Sequence, residues 1–100
     1  MKKIRIGKDI LFKWAITTNG EAVSLDGRDL RLELKSPFGT KSIIDFDTDD
    51  NVVIFKFLGI NQKDIGIYGL TLWENYGKEG QTAVDLSNAF ELVFTTEKEN

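Results

Sequence analysis

The chain has 100 residues, a formal net charge of −3, and a composition that is 41% hydrophobic and 29% charged, the profile of one soluble domain with room for its own core. It contains no cysteine and no histidine, which excludes disulfide scaffolds, cysteine nucleophiles, Ser-His-Asp triads, haem-His sites and ordinary zinc sites. Its cations are scattered (Lys2, Lys3 and Arg5, then Arg28 and Arg31, then Lys35 and Lys41), whereas nucleic-acid affinity needs them clustered. Apolar runs such as residues 52–55 are too short to cross a bilayer. No hydrophobic segment follows Met1-Lys2-Lys3, so no export signal is read.

Along the chain the dominant period is two, the mark of half-buried strands. Residues 3–6 read as an edge strand. Ile10, Phe12, Trp14 and Ile16 form the first inward row, and Asn19-Gly20 follows as a strong hairpin signal. Asp26-Gly27 turns the chain into a strand whose inward row is Leu30, Leu32 and Leu34. The single proline falls in the Ser36-Pro37-Phe38-Gly39 turn, so it interrupts no strand. A strand over 43–46 is expected next, then an Asp49-Asp50-Asn51 turn, then a strand with Val53, Phe55 and Phe57 inward. Asp64-Ile65-Gly66-Ile67-Tyr68 has the spacing of a tyrosine corner, in which a Tyr at a strand start sends its hydroxyl back to nearby backbone. A plain loop-to-strand junction is the alternative. Tyr68, Leu70 and Leu72 continue inward, Gly77-Lys78-Glu79-Gly80 closes a hairpin into residues 82–86, and Phe90, Leu92 and Phe94 make the last inward row. Residues 96–100 are polar and expected to fray. The fold expected is an all-β, immunoglobulin-like antiparallel β-sandwich of seven or eight strands, one domain over 1–100, with edges at residues 3–6 and 82–86.

Few constellations point to chemistry. Asp45, Asp47 and Asp49 imitate the first ligand positions of a calcium loop, but Asp50 and Lys56 stand where that loop needs Gly and Glu, and the flanks read as strands. A solvated acidic hairpin is the plainer reading. Gly77-Lys78-Glu79-Gly80 lacks the spacing and the helix of a phosphate loop. No histidine exists to activate Ser24, Ser36, Ser42 or Ser87. The expectation is therefore a non-enzyme with no catalytic residue, no metal and no cofactor. Trp73 stands out, because with Tyr68, Leu70 and Leu72 inward it faces outward with Ile67 and Thr71. Ile67, Trp73 and Tyr76 are the interface candidates; the alternative for Trp73 is a bulge or neighbouring loop that covers it. An exposed Trp among aliphatic neighbours suits either a protein interface or a sugar-stacking platform.

The order of these segments resembles a known family: residues 4–10 (Ile-Arg-Ile-Gly-Lys-Asp-Ile), Trp14 to Gly20, Leu25-Asp-Gly-Arg-Asp-Leu30, Ser36 to Gly39, Gly66-Ile-Tyr-Gly-Leu-Thr-Leu72, and Asp85 with Ala89-Phe90. It is similar to the small N-terminal β-sandwich domains of phage and prophage tail-fibre proteins of Bacteroides type, and more distantly to those of baseplate upper proteins. The resemblance implies a non-enzymatic module that attaches a fibre or baseplate component in a phage-tail-like assembly. It implies protein partners, a homo-oligomer or tail and baseplate proteins, and a place in a virion-like particle or, before assembly, in the bacterial cytoplasm. Family members continue into fibrous or collagen-like repeats, so an N-terminal domain of a longer chain is the form it suggests. A carbohydrate- or cell-surface-binding sandwich is the alternative function.

Overall fold

Alternating apolar and polar side chains put each apolar row on one side of an extended backbone. The computed structural model, which describes residues 1–95, carries ten strands built this way. They are β1 (Lys2–Arg5), β2 (Ile10–Ala15), β3 (Thr17–Thr18), β4 (Glu21–Ala22), β5 (Leu30–Lys35), β6 (Lys41–Ile44), β7 (Asp47–Asp49), β8 (Val52–Phe57), β9 (Gly66–Glu74) and β10 (Thr82–Val93). A short 3-10 turn covers Gly59–Asn61, and no α-helix occurs among the described residues. The fold is all-β. The strands form a five-stranded sheet in the order β1-β10-β9-β5-β6, a three-stranded sheet β2-β8-β7, and the small hairpin β3-β4. That hairpin turns on Asn19 and Gly20, whose φ angles of 52° and 81° are the positive pair that a two-residue connection needs. The count exceeds the seven or eight expected, because β3 and β4 add two short strands and the chain expected as one strand over 43–46 makes two, β6 and β7, while the strands expected at 82–86 and 90–94 merge into β10. The split occurs at residues 45–46, where the chain leaves the larger sheet for the smaller.

The two larger sheets share one core. Leu32 and Leu34 of β5, Tyr68, Leu70 and Leu72 of β9, and Phe90 and Leu92 of β10 are buried with Ile10 of β2 and Val53 and Phe55 of β8. Phe90 crosses the seam: its ring centroid lies 5.5 Å from that of Phe12 and 6.2 Å from that of Phe57, both in the smaller sheet.

Three expectations are corrected. The pairing is not wholly antiparallel, since β1 runs parallel to β10. The chain after β1 does not turn back beside it but crosses to the other sheet, so no hairpin fixes β1 antiparallel. Residues 82–86 are not a separate edge strand. They are the first half of β10, which continues through an irregularity between Leu86 and Phe90; because β1 lies beside only the second half, residues 82–86 keep the free edge expected of them, and the terminal strands of the large sheet are β1 and β6. Phe94, expected inward, is 72% exposed, because the last register pair is Arg5 with Val93 and strand alternation stops there. The fraying expected of residues 96–100 lies outside the described residues.

Candidate functional site

The outer face of the five-stranded sheet is set by register. Arg31 of β5 stands opposite Trp73 of β9, and Glu33 opposite Thr71. Cross-strand neighbours of this kind are close enough for long side chains to meet. The indole Nε1–H of Trp73 donates to Glu33 Oε1 at 2.8 Å, and Arg31 Nη2 pairs with Glu33 Oε2 at 3.5 Å. The Glu33 side chain keeps only 12% of its surface, so its two oxygens are engaged by the indole and the guanidinium.

Tyr76 reaches this face through the turn that ends β9. Asn75 adopts φ 56°, Gly77 adopts φ 74°, and Asn75 N–H donates to the Asp29 carbonyl at 2.9 Å. The turn thus folds Tyr76 back over the β5–β9 pair. Its ring lies edge-on to Trp73 with centroids 5.2 Å apart, and the Arg31 guanidinium carbon sits 3.9 Å from the Tyr76 centroid. Two ion pairs pin the surroundings, Arg28 to Glu74 at 3.3 Å and Lys78 to Asp29 at 2.7 Å. The Arg31 Nε is buried with no hydrogen-bond partner among the described residues.

Trp73 and Tyr76 are therefore brought together. Trp73 is half-buried under Tyr76 and beside Arg31, and Tyr76 is 43% exposed. Ile67, also 43% exposed, is on the same face of β9 but six residues away, about 20 Å along the strand, opposite Glu91. The acidic triplet is dispersed: Asp45 lies in the crossover, while Asp47 and Asp49 sit on β7 opposite Ile54 and Val52. Among the described residues no group of three or more carboxylate, His or Cys side chains is arranged to hold a metal.

Tyr68 forms the expected corner, its hydroxyl donating to the Asp64 carbonyl at 2.6 Å. Burial pushes its phenol above the usual range, and the Asp64 charge adds to it. Arg31 and Glu33, the partners that dress Trp73, were not singled out by sequence reasoning. Their signal was the alternation of β5, which sends Arg31, Glu33 and Lys35 to the side opposite the leucines; only the β5–β9 register turns that into contact. No family model, curated protein or solved structure matches this chain.

Proposed function

We propose that the chain is a non-enzymatic attachment module of a phage-tail-like assembly, built on an immunoglobulin-like β-sandwich. The fold reading is supported by the Tyr68–Asp64 corner and by the order β1-β10-β9-β5-β6 facing β2-β8-β7, with eight strands in the two larger sheets. The function reading is carried by one observation: an aromatic pair, Trp73 with Tyr76, stands on the outer sheet face in contact with the Arg31–Glu33 ion pair. Aromatic and Arg side chains ringed by polar groups are the usual anchors of protein interfaces. The carbohydrate alternative fits less well. Arg31 already occupies one face of the Tyr76 ring, and Glu33 already takes the indole N–H that a sugar hydroxyl would use.

The test is cosedimentation of the chain with phage baseplates stripped of their fibres, comparing the wild type with Trp73→Ala. Retention that falls on the order of tenfold in the variant supports an anchor at Trp73. Equal retention of both proteins refutes it, and binding on a glycan array that disappears in Trp73→Ala transfers the face to sugars.

A further inference from the structure

Besides the outer edges of the terminal strands β1, β6, β2 and β7, two stretches of inner strand lack a partner on one side among the described residues. On the smaller sheet, β2 pairs with β8 as far as Phe57, but β7 pairs with it only from Val52 to Ile54, so residues 55–57 have no strand on the β7 side. On the larger sheet, β1 pairs with β10 only over residues 90–93, so residues 82–86 have no strand on the side away from β9. Unpaired edges are templates for another strand, and proteins block them with charge, lysine above all. Lys2, Lys3 and Arg5 on β1 and Lys41 on β6 do so. Residues 82–86 (Thr-Ala-Val-Asp-Leu) carry no cation.

The free edge of β8 lies in a groove of about 960 Å³ between the two sheets. Its lining includes Ile54 and Lys56 from one face of β8 and Phe55 and Phe57 from the other, which is what a vacant strand position beside β8 exposes. Ser42 and Ile44 of β6 form the opposite wall.

We infer that residues 82–86 of one copy add as a strand to the free edge of β8 in a second copy. Three features select this occupant. The pleat matches: Val84 and Leu86 share the core-facing side of their sheet with Leu72 and Leu70, as Phe55 and Phe57 do in theirs, so the apolar rows continue across the junction. The charge matches: Asp85 falls between Val84 and Leu86 as Lys56 falls between Phe55 and Phe57, which sets a carboxylate opposite an ammonium on the outer side. Lys56 is exposed and makes no ion pair among the described residues, and Asp85 accepts a hydrogen bond from Thr71 Oγ1 through one oxygen only, Oδ1 at 2.6 Å. The segment is also accessible: Val84 remains 43% exposed although its cross-strand partner Leu72 is buried. Pairing of two 82–86 edges with each other would bring their Asp85 carboxylates near one another, which disfavours that twofold arrangement.

Because groove and edge are different surfaces, the contact is head-to-tail and builds a ring or a filament. The segment borders the Trp73 face, since Ala83 stands opposite Trp73 and Asp85 opposite Thr71; the two readings differ in that this contact runs through the strand edge and the Lys56–Asp85 pair and not through the indole. The experiment is sedimentation velocity over a concentration series on wild type, Lys56→Glu, Asp85→Lys, the doubly substituted chain and Trp73→Ala. Wild type and Trp73→Ala are expected to self-associate alike. Each single charge variant sets like charges against each other and weakens association on the order of tenfold. An equimolar mixture of the two single variants restores it, as does the double exchange, which a misfolded protein would not permit. A wild type that stays monomeric at every concentration overturns the proposal, as does a single variant that associates like wild type. Association lost in Trp73→Ala but kept in Lys56→Glu overturns it while leaving the outer-face reading standing.

Discussion

The hydroxyl of Tyr68 joins two tasks that pull its chemistry in one direction. Its ring is buried and stacks on Phe90 at 5.1 Å, and its oxygen closes the corner onto the Asp64 carbonyl. Both tasks favour the neutral phenol, since burial penalises the phenolate and a phenolate cannot donate. Tyr68→Phe removes one hydrogen bond and leaves a carbonyl short of its partner, and is expected to destabilise by about 1 kcal/mol, read from urea midpoints. The pH dependence follows by linkage. The folded-state pKa lies above the ordinary value of 10.0, so the unfolded chain gives up this proton first as pH rises. The stabilisation is complete below pH 10 and is lost as pH climbs through the folded value. The gap between wild type and Tyr68→Phe should hold constant from pH 7 to 9 and close above 10; a gap that widens with alkali would contradict the assignment.

Among the elements, the crossover from β1 to β2 is held by a side chain with no pattern around it. Gln62 accepts from Gly7 N–H at 2.7 Å and donates to the carbonyls of Lys8 at 2.7 Å and Phe57 at 3.1 Å, so one buried amide ties the β1–β2 loop to the end of β8. Asp9 adds to the seam by accepting from Gly59 N–H at 2.8 Å. Gln62→Leu keeps the volume and strands these three backbone groups; a loss of about 3 kcal/mol is expected in chemical denaturation. Gly59→Ala should be at least as damaging, because a Cβ there would run into the Gly7 carbonyl. This seam separates what was legible in the sequence from what was not. Strands written by alternation, such as β5 and β9, and turns written by Asn19-Gly20 or Gly77 were readable, because their signal is local. The parallel β1 and the role of Gln62 were not, because each depends on a partner roughly fifty to ninety residues away; nor was the continuity of β10 through its irregularity, which shows only once both its halves are seen to pair with β9. The Trp73 site falls between the two. Its outward direction is in the alternation of β9, while its cover comes from the β5 register and from the left-handed Asn75 that returns Tyr76 over the sheet.

At the scale of the molecule, the two larger sheets are joined by side chains. Phe90 is the clearest joint: it is fully buried on β10, stacks on Tyr68 of its own sheet, and meets Phe12 and Phe57 of the other. A truncation here takes contacts from both sheets at once and opens a cavity between strands that belong to different sheets and share no ladder. Phe90→Ala is therefore expected to destabilise by about 3–5 kcal/mol. A domain of 100 residues has only about 5–15 kcal/mol in total, so this one change removes a large share of its stability. The check is paired unfolding curves, one following far-ultraviolet circular dichroism and one following tryptophan fluorescence. The indoles divide the probe between the sheets, Trp14 on β2 and Trp73 on β9. If Phe90 couples the sheets, both curves for the variant shift together to lower denaturant, or the variant lacks a transition altogether. If the sheets are instead held mainly by the covalent crossovers, the fluorescence curve of Phe90→Ala separates from the dichroism curve while wild type stays coincident, and the joint must be sought elsewhere in the core.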